Sequence, residues 1–263
     1  MVLETGKKVY FLSDFHLGAP NDTESRKRED RLVRFLQDAR KDAGIIFIVG
    51  DIFDFWFEYK TVVPKGFVRL LGCLAQISDA GIPLHIFTGN HDLWMQDYFQ
   101  KELGIKLHAN EYCFEKKGKS FYVAHGDGLG PGDYKYKFLK RVFRNPLCQW
   151  AFARIHPNLG LSIANYFSTS SRKSGMSKDM IYNGKEQEWL YHFAKTHQET
   201  HPVDFYLFGH RHLPLEIAVG KATYINTGEW LYAQTFARFD GETLKLLQWK
   251  DGQIETYDAK RPN

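Results

Sequence analysis

Short runs that are apolar at nearly every position, each closed by small and polar residues, constrain this chain most. Ile45-Ile46-Phe47-Ile48-Val49 runs into Gly50-Asp51-Ile52-Phe53-Asp54, and Val9-Tyr10-Phe11-Leu12 into Ser13-Asp14-Phe15-His16. Leu84-His85-Ile86-Phe87 runs into Thr88-Gly89-Asn90-His91-Asp92, and Phe205-Tyr206-Leu207-Phe208 into Gly209-His210-Arg211-His212. Runs this short read as strands, and their continuous rather than alternating apolarity means that both faces are covered. Helical patterns lie between them: Ser25 to Ala43, with Leu32, Phe35, Leu36 and Ala39 on the buried face and Gly44 as its end, then about Gly66 to Asp79, a shorter helix to Leu103, and about Glu186 to Thr196. A hairpin over Glu111–Lys116 and Phe121–Ala124 leads into His125, and four short strands fall near 216–219, 222–225, 235–239 and 244–249. Strands alternating with helices predict an α/β fold, whose ligands bind at the carboxyl ends of the strands.

Those strand ends carry the chemistry. Asp14 and His16, Asp51 with Asp54, Asn90 with His91, His125, and His210 with His212 all follow apparent strands. In D-x-H and H-x-H, alternate residues of an extended segment point the same way, so each pair can grip one ion. Mixed imidazole and carboxylate donors suit Mn, Fe or Zn better than Ca or Mg, and Asp51, with two oxygens, can bridge two ions. A single strand-end Asp is usually a turn former and a single His usually a satisfied one. His85, His108, His156, His192, His197 and His201 fall in that class, whereas repetition of ligand types at the same kind of position points to a metal site.

The net charge of +4 hides an asymmetry. From Tyr134 to Lys178 there are nine Lys/Arg and no Asp or Glu, which leaves 26 basic against 31 acidic residues elsewhere. Apolar sets interleave with these cations: Phe138, Val142 and Phe143, then Leu147, Trp150 and Ala151, then Leu161, Ile163, Ala164 and Phe167. Docking onto the rest of the fold accounts for part of that apolarity, but not for the missing acids. A basic amphipathic lid suits an acyl chain with a phosphorylated head, or an anionic leaflet. Its aromatics are spaced as helix faces rather than as an open stacking strip, which argues against nucleic acid. Cys73, Cys113 and Cys148 form no metal or disulfide pattern, no run reaches the ~18 apolar residues of a spanning helix, and the N-terminal run is too short for a signal peptide. The expectation is a cytoplasmic protein, soluble or peripheral.

Asp14-x-His16, Gly50-Asp51-x-x-Asp54, Gly89-Asn90-His91-Asp92, His125 and Gly209-His210-x-His212, in that order, resemble the calcineurin-like metallophosphoesterases. The resemblance implies a four-layer α/β/β/α sandwich with a helical lid insertion at about 128–200, and a dinuclear centre at one sheet edge. Asp14, His16, Asp51 and His212 would hold one metal; Asp51, Asn90, His125 and His210 would hold the other. His91 would contact the phosphate or protonate the leaving group, oriented by Asp54, in a direct hydrolysis without a phosphoenzyme.

Asp14-Phe15-His16-Leu17-Gly18, Gly50-Asp51-x-Phe53-x-x-Trp56 and the stretch from Asp127 to Lys178 resemble more narrowly the UDP-2,3-diacylglucosamine hydrolases. That resemblance implies cleavage of an acylated UDP-sugar to UMP and 2,3-diacylglucosamine 1-phosphate in lipid A synthesis, at the inner-membrane surface and usually with Mn. Asp133 and Tyr136 would lie near the glucosamine; Arg172, Lys173 and Lys178 near the phosphates. In the best-known branch of that subfamily an arginine follows the metal-binding Asn and a glutamate stands three residues after the bridging Asp. Here those positions are His91 and Asp54, as in the wider superfamily, which keeps open another nucleotide diphosphate or a phosphodiester as substrate.

Overall fold

The computed structural model describes residues 6–132, 134–164, 166–168 and 181–258. In chain order the first half contains β1 (Lys8–Leu12), α1 (Asp22–Ala39), β2 (Ala43–Ile48), α2 (Val68–Asp79), β3 (Leu84–Phe87), α3 (Tyr98–Leu103), β4 (Lys106–His108), β5 (Tyr112–Lys116) and β6 (Lys119–Val123). Then come α4 (Tyr134–Phe143), α5 (Pro146–Phe152), a helical stretch α6 (157–164), α7 (Trp189–Thr200), β7 (Phe205–Phe208), β8 (Leu215–Val219), β9 (Ala222–Asn226), β10 (Thr235–Phe239), β11 (Leu244–Lys250) and β12 (Gln253–Thr256). One sheet has the order β12-β11-β10-β1-β2-β3-β4 and the other β5-β6-β7-β9-β8. Strands β1 to β4 are mutually parallel, as are β6, β7 and β9, while the outer strands pair antiparallel.

The unbroken apolar runs are explained by what each face meets. Val9, Phe11, Ile45 and Phe47 point between the sheets at Phe121, Val123, Leu207 and Ile225. Their neighbours Tyr10, Leu12, Ile46 and Ile48 point outward to Phe35 and Leu36 of α1 and Leu74 and Ile77 of α2. On the far side, Tyr122, Tyr206 and Phe208 pack on Leu190 and Ala194 of α7. The result is an α/β/β/α sandwich. Each such fully buried large side chain contributes about 1.5–3 kcal/mol, so the parallel strand ends are rigidly placed.

Three boundaries differ from the sequence reading. Helix α1 starts at the Asn21 cap, whose Oδ1 accepts from Glu24 N at 3.0 Å, and it ends before Ala43. The Asp42 carboxylate takes bonds from Lys8 Nζ and Tyr10 OH at 2.6 Å each, which draws Ala43 into register beside Lys8 as the first residue of β2. Strands β4 and β12, three and four residues long, carry too little apolar pattern to be read from sequence.

The insert is built differently. Neither α4 nor α5 has a buried residue. Phe152 anchors it, with ring centroids 4.8 Å from Phe57 and 4.7 Å from Trp94, and Trp94 Nε1 donates to Phe143 O at 2.7 Å. Helix α4 turns its cations inward: Lys137 Nζ donates to Gly130 O at 2.6 Å and Lys140 Nζ to Asp127 O at 2.9 Å, leaving Tyr134 and Phe138 in solvent.

Candidate metal centre

The carboxyl ends of β1, β2, β3, β6 and β7 meet at one edge, and every strand-end residue expected to bind metal lies there. Donor atoms of Asp14, His16, Asp51 and His212 lie within 4.8 Å of one another, as do those of Asp51, His125 and His210. His16 Nε2 and His212 Nε2 are 2.8 Å apart, and Asp14 Oδ1 is 3.3 Å from His212 Nε2. Asp51 Oδ2 stands between the groups, 3.8 Å from His16 Nε2 and 3.4 Å from His125 Nε2. Asn90 Oδ1 closes the second group, 2.8 Å from His210 Nδ1 and 3.2 Å from His125 Nε2. Imidazole, carboxylate and amide oxygen donors converging on two adjacent points, with Asp51 common to both, fit a pair of borderline divalent ions.

The backbone reaches this arrangement by a route that the sequence did not indicate. Asp14, His16, Asp51, His210 and His212 have φ of 57°, 45°, 53°, 66° and 50°, so D-x-H and H-x-H converge through left-handed turns, not by alternation along an extended segment. Such residues cost about 1–3 kcal/mol each and persist only where their surroundings hold them. Here Asp14 N donates to Gly50 O and His16 N to Asp51 O, each at 3.0 Å, and His210 N donates to Asp14 Oδ2 at 2.9 Å. Gly89 and Gly209 permit the close approach, because a Cβ on the first would strike the Asp51 carboxylate and on the second would come within 2.6 Å of Asp14 Oδ2.

Electrostatics follow from burial and crowding. Burial alone would raise the Asp51 carboxyl, but His125, His91 and His16 outweigh it and hold it well below the usual range. Burial likewise opposes ionisation of Asp14, and hydrogen bonds with His16 and His212 overcome it. The charge of Asp51 overcomes desolvation at His125 and lifts that imidazole to about 10, whereas burial lowers His210 to about 4. Without a cation, then, a proton on His125 supplies part of the positive charge between the carboxylates.

Residues 7–214 match the calcineurin-like phosphoesterase family. The chain belongs to it. This phosphoesterase is 40% identical over 261 residues to the UDP-2,3-diacylglucosamine hydrolase of Porphyromonas gingivalis, covering 93% of this chain and 98% of the relative. It is 29% identical over 243 residues to the protein of the same name from Edwardsiella ictaluri, covering 90% of each. Among solved structures it is similar to a phosphoesterase from E. coli, at 15% identity and a TM-score of 0.47 over 94% of this chain and 96% of that one. Members of the family use a dimetal centre, and the chain is a metal-dependent hydrolase.

Beside the centre, the phosphoesterase sets His91 and Asp54. The His91 ring is 4.9 Å from that of His16 and edge-on to it. Its Nδ1 lies 3.0 Å from the main-chain carbonyl of Asp54, while the Asp54 carboxylate, at 3.8 Å, is beyond hydrogen-bond reach. Tyr136 arrives from α4, its hydroxyl on the Asp127 carboxylate and its ring 6.3 Å from that of His210. Asp133, Arg172, Lys173 and Lys178 lie outside the described residues.

Several supporting residues escaped the sequence reading. Asp92 is fully buried and accepts from Gly89 N and Ile52 N at 2.7 Å each, tying the β2 and β3 exits together; burial, then the charge of Asp51, pushes its carboxyl up to about 7. Arg211, between the two β7 histidines, pairs with buried Glu188 at 2.8 Å and stacks over Trp189, which fixes that loop to the start of α7. Ser168, shortly after α6, is buried against Asp54 and His91. Asp92 and the Arg211–Glu188 pair carried a weak signal, a charge beside a ligand motif; Ser168 carried none.

Proposed function

We propose that this phosphoesterase hydrolyses the pyrophosphate of UDP-2,3-diacylglucosamine to UMP and 2,3-diacylglucosamine 1-phosphate, a step of lipid A synthesis. The observation that carries the reading is the 40% identity, over 98% of its length, to a hydrolase of that name. Asp14, His16, Asp51 and His212 hold one ion, and Asp51, Asn90, His125 and His210 the other, with Mn2+ the first choice and Fe or Zn next. When bound, the ion pair activates water and offsets negative charge on the phosphoryl oxygens. His91 contacts the phosphate or gives a proton to the departing oxygen, with its Nδ1 held by the Asp54 carbonyl. Asp133 and Tyr136 face the sugar, and Arg172, Lys173 and Lys178 the phosphates.

Of the insert expected at about 128–200, α7 packs into the sandwich; the part from α4 onward that stands off it acts as the lid that receives the acyl chains. Phe138, Leu147, Trp150 and Phe167 are exposed, and Lys137, Lys140, Arg141 and Arg144 line an open cavity of about 500 Å³ along α4. Apolar surface beside a cationic cavity suits an acylated, phosphorylated substrate and an anionic membrane leaflet. Among the described residues no helix is long and apolar enough to cross a membrane, so the proposed association is peripheral, on the cytoplasmic face of the inner membrane.

The pairing of His91 with Asp54, shared with the wider superfamily, favours a second reading in which another nucleotide diphosphate or a phosphodiester is the substrate. A Mn-supplemented assay on UDP-2,3-diacylglucosamine beside UDP-glucose, ADP-ribose and a simple phosphodiester separates the two. UMP released from the acylated substrate alone supports the first reading, and preferential turnover of ADP-ribose or the phosphodiester replaces it with the second.

A further inference from the structure

Helices α4 and α5 bury no residue, and Tyr166 and Phe167 are exposed at 72% and 65%, yet Ser168 beside them is buried. Its hydroxyl donates to Asp54 Oδ2 at 2.8 Å, and its oxygen lies 3.2 Å from His91 Nδ1. The Asp54 carboxylate and His91 Nδ1 are 3.8 Å apart, so the serine spans a gap too long for a direct hydrogen bond. Ser168 is 77 residues from His91 and 114 from Asp54, and reaches both only because the insert folds back over the strand ends.

We infer that Ser168 is a positioning residue through which the insert completes the His91–Asp54 pair. The hydroxyl hydrogen bonds to the carboxylate, and its oxygen lone pair shares the His91 Nδ1–H with the Asp54 carbonyl, forming the branch Nδ1–H···Oγ–H···Oδ2. A hydrogen bond to an ionised acceptor is about twice as strong as a neutral one, so the charge of Asp54 is felt at the imidazole although the two do not touch. Ser168 thus gives the His91 ring a second hold, beside the Asp54 carbonyl, that is present only while this part of the insert is seated. The inference rests on the reading of His91 as the proton donor.

The test compares two phosphodiesters of UMP, one with p-nitrophenol and one with phenol, on the Mn-loaded full-length protein. The two esters are close in size, but the p-nitrophenolate leaves without needing a proton and the phenolate is helped by one. Ser168→Ala should lower kcat on the phenyl ester about tenfold and on the p-nitrophenyl ester less than about twofold, with KM nearly constant and Ser168→Thr recovering the loss. Equal loss on both esters, or no loss on either, overturns the inference. His91→Ala, run alongside, separates the layers. If it discriminates between the esters and Ser168→Ala does not, the serine has no part in positioning; if His91→Ala is itself indiscriminate, the proton-donor reading falls and the inference with it.

Discussion

The strand-end edge and the helical insert are opposite solutions to placing side chains. At the edge, Asp14, Asp51 and Asp92 are almost fully buried, cross-loop hydrogen bonds tie the left-handed residues Asp14, His16, Asp51 and His210, and a Cβ on the adjoining glycines would strike the site. In the insert, α4 and α5 bury no residue, and Phe138, Leu147 and Trp150 face solvent. A site that must hold donor atoms to a few tenths of an ångström belongs on a packed scaffold, whereas a surface that must admit a long apolar ligand cannot already be filled by its own chain. Under the proposed function this contrast is a division of labour, with hydrolysis at the sandwich edge and selection of the substrate by the insert.

The division breaks first at Asp51. Asp51→Asn removes the carboxylate common to both groups and should cut turnover at least about 10³-fold on every substrate, the loss of several kcal/mol of transition-state stabilisation, with a parallel fall in metal content by elemental analysis. Activity within tenfold of the parent would mean that the edge is not the catalytic element. His91→Ala comes next: kcat on the acylated substrate should fall about 10²-fold with metal content unchanged, which steady-state kinetics and elemental analysis together can check.

The other side of the comparison is sharpened by the insert. Phe138→Gln, Leu147→Gln and Trp150→Gln each touch exposed positions, so melting temperature should hold. KM for the acylated substrate should rise about fivefold per position, roughly 1 kcal/mol of lost apolar contact, while a small phosphodiester is unaffected. A common rise for both substrates would return these residues to a structural role.

Proton linkage tests the edge in a different way. His125 in the metal-free protein is lifted to about 10, so at neutral pH it is protonated and must lose that proton to ligate. The sign is therefore positive: apparent Mn affinity should rise about tenfold per pH unit from 7 towards 9 and level off near 10, measured by titration calorimetry in buffers of different ionisation enthalpy. A pH-independent affinity would place His125 outside the second group.

The same contrast explains what could be read from the sequence. Strands β1, β2, β3 and β7 are short, apolar on both faces and followed immediately by their polar donors, so the sandwich and the metal cluster were encoded locally. The left-handed turns at Asp14 and His210 were not, because nothing in D-x-H or H-x-H distinguishes a tight turn from an extended segment until the neighbouring loop's carbonyls are known. Ser168 was invisible for a different reason. It is a single serine in a polar run, and its partners are set by how the insert docks through Phe152 and Trp94, a property of tertiary packing and not of local pattern.

The most direct test of the division of labour is the ratio of kcat/KM for UDP-2,3-diacylglucosamine to that for its deacylated counterpart. It is measured with Mn in the parent and in a variant carrying Phe138→Gln, Leu147→Gln and Trp150→Gln together. The account predicts a ratio well above one in the parent that collapses at least about 50-fold in the variant, with the rate on the deacylated sugar unchanged. A ratio that survives the triple substitution, or a parent that does not distinguish the two sugars, would contradict it.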